Sequence, residues 1–222
     1  MPRRQRRLPS RRPILPSWIS SDQPLHLNPT IRRRILREYN PAGIFLNIPY
    51  SRHYTNLEVA IISTVTAYGL IPRMARERLR MEMRLLKIAE LVLTCNYGFT
   101  DLSYLTRMNM PLELGLLLAF GKETLVVSRR RYSALKTISD LNFADLHYHE
   151  GRIRKLIVTL SRWIEQTYSR KRLRTETLLR RYRQLRRVRR SLGDDFDRLK
   201  AGEISRLLGV AEDEFQMKLA GA

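Results

Sequence analysis

One carboxylate stands at the head of the most apolar stretch of this chain. In "NMPLELGLLLAFGKE", residues 109 to 123, Glu113 follows Asn109 and Pro111 and precedes Gly115 and Gly121. An acid there has two uses. In the first turn of a helix, just past a proline, it complements the macrodipole and contributes about 0.3–1 kcal/mol. Facing a crevice, it can move a proton, attack, or stabilise a developing positive charge. Asp101 and Ser103 in "DLSYLTRMN" are a second polar group after an apolar run, and Asp101 reads equally as a turn residue or a ligand contact. "DLHYH" sets Asp145, His147 and His149 at a metal-like spacing, and alternation puts both histidines on one face of an extended segment. No other cluster supplies further ligands, so no metal is expected and the histidines read as surface or packing residues. Cys95 is the only cysteine. It excludes a disulfide framework, argues against a cysteine zinc site and, ending an apolar stripe, reads as a buried structural thiol. "SRRRY", residues 128 to 132, offers a phosphate clamp or a solvated loop.

The elements that must position these groups alternate. "GIFLNI" is a compact, branched, apolar run, a buried strand. "NLEVAIISTVTAYG" has helical spacing and ends at Gly69, a natural C-cap. "LIPRM" is a short strand broken by Pro72. "RLRMEMRLLKIAELVLTC" is an amphipathic helix with Leu85, Ile88, Leu91 and Val92 on one stripe. "NYGFTDLS" is a strand, "MPLELGLLLAFG" a helix closed by Gly121, and "ETLVVS" another strand. A loop through "DLNFADLHYHEG" leads to the helix "RIRKLIVTLSRWIEQTY". Strands alternating with helices predict an α/β fold with a flavodoxin-like parallel sheet flanked by helices. Before this lies "TIRRRILREYN", a short basic helix with Thr30 as N-cap and Pro41 as its stop. The expected organisation is a basic Arg/Pro-rich arm with that helix (1–42), the α/β domain (43–168), and an Arg-rich helical extension (169–222) ending in two short helices around Gly209.

In an open parallel sheet, ligands gather beyond the carboxyl ends of the strands at the topological switch. "NIPYSRHY", "DLSYLTRMN" and the start of the Glu113 helix should converge there. The expected pocket holds Asp101, Ser103, Asn109 and Glu113, with Tyr50, Ser51 and Arg52 on its rim, and helix-start amides favour an anion.

The residues "FLNIPYSRHYTNLEVAIISTVTAYGLIPR", "DLS", "RMNMPLELGLLLAFGKE", "SDLN" and "HEG" together resemble a family of small bacterial proteins. That family is similar to nucleoside 2-deoxyribosyltransferases and, more remotely, to TIR-type NAD hydrolases. The resemblance covers about residues 43 to 165, and its most specific part is Asn109-Met110-Pro111-x-Glu113-Leu114-Gly115 with Gly121-Lys122 at the helix end. It implies a catalytic role for Glu113, with Asp101 at an acidic substrate-binding position. Tyr50, Ser51, Ser103 and Asn109, already placed around the expected pocket, then read as substrate contacts, with Asn109 helping to position Glu113. The implied chemistry is cleavage of an N-glycosidic bond in NAD, a nucleoside or a nucleotide: a carboxylate near the anomeric carbon stabilises oxocarbenium character or attacks it. A nucleotide is then substrate, and no cofactor is required. The chain departs from the pattern at Ser51, where relatives tend to carry an aspartate, and in lacking a glycine-rich first loop. A non-catalytic nucleotide sensor or a nucleic-acid-binding assembly module is the alternative reading.

The net charge of +21 over 222 residues points to polyanions. Much of it lies in the first 40 residues and in Arg170, Lys171, Arg172, Arg174, Arg180, Arg181, Arg183, Arg186, Arg187, Arg189 and Arg190. In that last segment Glu176 is nearly the only acid. A solvated helix would mix in acids for i,i+4 pairs, so a nucleic-acid contact is expected, salt-sensitive and weakly sequence-specific. A homo-oligomer or an acidic protein partner also suits such arms. No apolar run is long enough to span a bilayer, and the basic, proline-broken N-terminus lacks a signal-peptide core, so the chain reads as cytoplasmic with no membrane partner.

Overall fold

The computed structural model describes residues 28–75, 84–104, 109–129 and 146–199, and beyond them Glu203, Ile204 and Leu207. The basic arm before Asn28, Asp145, the arginines at 130 and 131, and the stretch around Gly209 lie outside the described residues.

Helix α1 spans Pro29–Glu38, and its N-cap is Asn28, whose side chain accepts the Thr30 amide at 2.9 Å. Thr30 was the expected cap. Pro29 at the first helical position, where a missing N–H is harmless, moves the cap two residues upstream. Strand β1 (Asn40–Asn47) starts before the expected domain boundary at residue 43 and is buried from Gly43 onward. Helix α2 (Thr55–Ala67) is buried almost throughout, from Leu57 to Val65. It ends as expected at Gly69, where φ is +83° and the Leu70 amide reaches back to the Val65 carbonyl at 3.0 Å. Strand β2 (Ile71–Arg73) lies at an edge of the sheet, where Pro72 costs little.

Helix α3 (Arg84–Leu93), strand β3 (Cys95–Asp101), helix α4 (Asn109–Ala119) and strand β4 (Glu123–Ser128) follow. A two-residue strand β5 (His147–Tyr148), inside what the pattern suggests is a loop, pairs with the end of β4. Helix α5 (Ile153–Thr167) and helix α6 (Thr175–Leu192) follow among the described residues. The expected stripe on α3 holds only in part. Leu91 and Val92 are buried, but Leu85 is 52% exposed, because only the C-terminal end of the helix is covered.

All strand pairs are parallel, in the order β2-β1-β3-β4-β5. This is the expected flavodoxin-like α/β architecture. The chain leaves β1 toward β2 on one side and returns to β3 on the other, so the crevice opens beyond the ends of β1 and β3.

Alternation along the strands divides the core into two layers. Ile44, Leu46 and Ile48, with Phe99, Leu125 and Val127, pack against α2, α5 and Leu178, Tyr182 and Leu185 of α6. Phe45 packs with Leu91 and Val92 of α3, Cys95 and Leu117 of α4. Cys95 is the buried thiol the sequence suggests. The segment expected as a helical extension therefore supplies a face of the main core. Gly98 lets α4 lie close to β3, since a Cβ there would sit 2.8 Å from Leu117 Cδ2 and 2.6 Å from Thr124 Oγ1. No helix among the described residues is long and apolar enough to cross a membrane.

Candidate active site

Helix α4 buries Met110, Glu113, Leu114 and Leu117, the i, i+3, i+4, i+7 stripe that faces the sheet. Leu112 and Leu118 on its other side are 49% and 43% exposed. The helix thus places a carboxylate where packing asks for an apolar side chain and leaves leucines in the open. α4 begins at Asn109, so its first turn contains no acid and Glu113 sits just beyond it. The helix-cap reading of Glu113 is thereby corrected: the fifth residue of a helix is past the unpaired amides that a capping acid serves. Glu113 makes no hydrogen bond or ion pair among the described residues, and burial pushes its carboxyl from the ordinary 4.5 up to about 7. A carboxylate in this state is held away from water with no compensating donor.

The turn before it is held by a residue that sequence reasoning passed over. Asn47 closes β1 and is buried; its Nδ2 donates to the Met110 carbonyl at 2.8 Å and to Thr100 Oγ1 at 3.4 Å. These bonds tie the start of α4 to the ends of β1 and β3. The one available signal was a polar residue ending an otherwise apolar strand. Ser51, in the loop after β1, has a buried Oγ with no hydrogen-bond partner among the described residues. Tyr50 beside it is half-buried and Arg52 is exposed. Asn109 opens α4, one turn ahead of Glu113.

Asp101 lies on the other face of the sheet. Along β3, Thr100 turns toward Asn47 and α4, while Phe99 and Asp101 turn toward α2 and α5. Asp101 is fully buried and both its oxygens are occupied. Oδ2 accepts the Tyr54 hydroxyl and His149 Nε2 at 3.0 Å; Oδ1 accepts the Ser103 amide at 2.9 Å and the Ser103 hydroxyl. The Gly151 amide donates to His149 Nδ1 at 3.0 Å, which leaves the ring hydrogen on Nε2, pointing at Asp101. Ser103 Oγ, 3.2 Å from that nitrogen, accepts the Arg129 amide at 2.8 Å. The serine proton goes to Asp101 and the histidine nitrogen carries its own hydrogen, so the pair is not a base and its nucleophile. The network instead fastens the segments that follow β1, β3, β4 and β5 to one carboxylate. Tyr54 was missed by sequence reasoning, and His149 is a packing residue of an unexpected kind. His147, expected on the same face, is exposed on the outer strand, because the chain turns directly after Tyr148 through the positive φ of Glu150 and Gly151. Among the described residues no group of side chains could hold a metal ion.

The structure therefore brings Asp101 and Ser103 together, and separately joins Asn47, Thr100 and the turn carrying Glu113, with the sheet between the two sets. The Gly121-Lys122 end of the motif lies at the opposite edge. Gly121 takes φ +60°, and the buried Lys122 donates from Nζ to the Cys95 carbonyl at 2.6 Å, its amine lowered by burial to about 8.

On α6, Arg180, Arg183, Arg187 and Arg190 are exposed, as are Arg170, Lys171, Arg172 and Arg174 before it. Arg181, Arg186 and Arg189 are partly buried, and Arg189 serves the core: its Nη1 is 3.2 Å from Glu58 Oε2 and its guanidinium lies 5.0 Å from the Phe196 ring centroid. No family model, curated protein or solved structure matches the chain.

Proposed function

We propose that the protein binds a nucleoside or nucleotide beyond the carboxyl ends of β1 and β3 and cleaves its N-glycosidic bond, with Glu113 as the working carboxylate. The observation that carries this reading is a carboxylate on the sheet-facing stripe of α4, buried, without a partner among the described residues and raised to about 7. Groups so perturbed cluster at functional sites, since a structural acid would be paired or replaced. The resemblance of residues 109 to 122 to deoxyribosyltransferases and TIR-type NAD hydrolases supports the same role.

As the bond to the base lengthens, positive charge grows on the sugar. The base leaves with the bonding electron pair. The Glu113 carboxylate, in a setting of low polarity, stabilises the sugar cation or bonds to the anomeric carbon. Water then adds its hydroxyl there, displacing the carboxylate where a bond had formed, while its proton passes to the released base or to solvent. Ser51 and Tyr50 line the rim. Asp101 acts through the loops it fastens, holding the segments after four strands in one arrangement. NAD or a nucleoside is substrate in this scheme, and no cofactor is needed. Incubating the full chain with NAD and with nucleosides, and measuring released base, tests it: Glu113→Gln should abolish release while the protein stays folded. Undiminished turnover in that variant would refute the role of Glu113.

A second reading rests on the exposed arginines of α6 and the segment before it, which suit a phosphate backbone. In that reading nucleic acid is a partner, and the pocket senses a nucleotide without cleaving it.

A further inference from the structure

The proposed glycosidase reading leaves the sugar unoriented: Asp101, the acid expected to hold it, has both oxygens taken on the other face of the sheet. Asn47 is placed to do so. The Met110 carbonyl can only accept, so the Asn47 side chain must turn its NH2 that way, and the 2.8 Å bond fixes the amide orientation. Oδ1 is then a fixed acceptor, and none of the described residues donates to it. Met110 and Glu113 are neighbours on one stripe of α4, with Cβ atoms about 5–6 Å apart at that spacing. Side chains of a helix lean toward its N-terminus, so the Glu113 carboxyl leans over the turn that Asn47 holds. A sugar whose anomeric carbon meets Glu113 presents its adjacent hydroxyls about one bond-length pair further on, within reach of a neighbour one helical turn away. The Ser51 hydroxyl, in the loop leaving β1, is a further buried polar group with no hydrogen-bond partner among the described residues.

We infer that Asn47 is the sugar-orienting residue of this pocket: with its NH2 committed to Met110, its Oδ1 accepts a hydrogen bond from a ribose hydroxyl beside Glu113. This rests on the proposed function and adds a substrate requirement, a hydroxyl that donates. It also gives Asn47 a second duty as a positioning residue for α4.

The test uses the full-length Glu113→Gln protein, so that ligands persist, and calorimetric titration of adenosine, guanosine, cytidine, uridine and NAD. The tightest nucleoside is then compared with its 2′-deoxy, 3′-deoxy, 2′-fluoro and 3′-fluoro analogues. A fluorine keeps the size and a weak acceptor but cannot donate. Deleting one particular hydroxyl, or replacing it by fluorine, should weaken binding about tenfold. In the Glu113→Gln/Asn47→Ala double variant the same changes should cost nothing further, which is the coupling that a purely structural asparagine would not show. Equal losses across all analogues in the double variant, or recovery of binding by fluorine, would overturn the role of Asn47. If the double variant does not fold, the fluorine series in the single variant decides alone. Nucleoside binding indifferent to both hydroxyls overturns this inference and leaves the glycosidase reading standing. Failure of every nucleoside and of NAD to bind overturns both.

Discussion

Removing the Glu113 charge should stabilise the protein, and only at one end of the pH scale. Burial raises the carboxyl from 4.5 to about 7. At about 1.4 kcal/mol per pH unit, that rise is worth on the order of 3 kcal/mol against the folded state once the group is ionised. The sign follows from proton counting. Below pH 4.5 the folded and unfolded chains both hold the proton, and Glu113 is neutral in each. Between 4.5 and about 7 the folded chain keeps a proton that the unfolded chain has lost, so stability falls as pH rises. Above about 7 the full cost remains. Glutamine resembles the protonated acid in shape and polarity at every pH. Urea unfolding of Glu113→Gln and the parent protein should therefore give equal stabilities near pH 4 and a variant up to about 3 kcal/mol more stable near pH 8, with other titrations cancelling in the difference. An active-site residue that opposes stability is the expected signature of a group retained for chemistry. A variant less stable at pH 8, or a difference that does not change with pH, would show that the carboxylate is satisfied in the folded protein and would remove the basis for its role.

The same shift predicts the pH dependence of turnover. If the ionised form reacts, kcat/KM for NAD or a nucleoside should climb up to about pH 7 and level above it; a fall above pH 7 would instead make Glu113 a proton donor. Asp101→Asn replaces an acceptor of four hydrogen bonds, so it should destabilise the protein by about 3 kcal/mol in urea unfolding, and a change under about 1 kcal/mol would deny Asp101 its place as the fastening point. Serine at Arg180, Arg183, Arg187 and Arg190 together should reduce the slope of log binding constant against log salt for an oligonucleotide by about 0.9 per lost phosphate contact, up to about 4 in all. An unchanged slope would place nucleic acid elsewhere or nowhere.

Much of the fold was legible because its signals are local. Branched apolar runs announced β1 and β4, helical spacing announced α2 and α5, and Gly69 and Gly121 take the positive φ that helix ends require. Alternation of strand and helix then permits few topologies, and the parallel order β2-β1-β3-β4-β5 is one of them. β5 escaped notice because two residues carry no period, and their pairing to β4 exists only once the sheet is built. Thr30 was mistaken for a cap because Pro29 shifts the helix start, a competition between adjacent residues that composition leaves undecided.

For the site, the sequence by itself determined that an acid would sit near the start of a helix abutting the sheet's carboxyl edge. What it is surrounded by was a matter of tertiary structure. The period of a strand is two, so Thr100 and Asp101 are neighbours in the chain and lie on opposite faces of the sheet. That single fact assigns Asp101 to Tyr54, Ser103 and His149, and leaves Asn47 with the turn that carries Glu113. Neither partnership has a fixed spacing in sequence: Tyr54 lies 47 residues from Asp101, and Asn47 lies 63 from Met110. Residue types are written along the chain, whereas desolvation and hydrogen-bond partnership depend on which faces the folded layers bring together. The sequence could therefore name Glu113, and only the packing of α4 on β1 and β3 could bury it, leave it without a partner among the described residues and raise it to about 7.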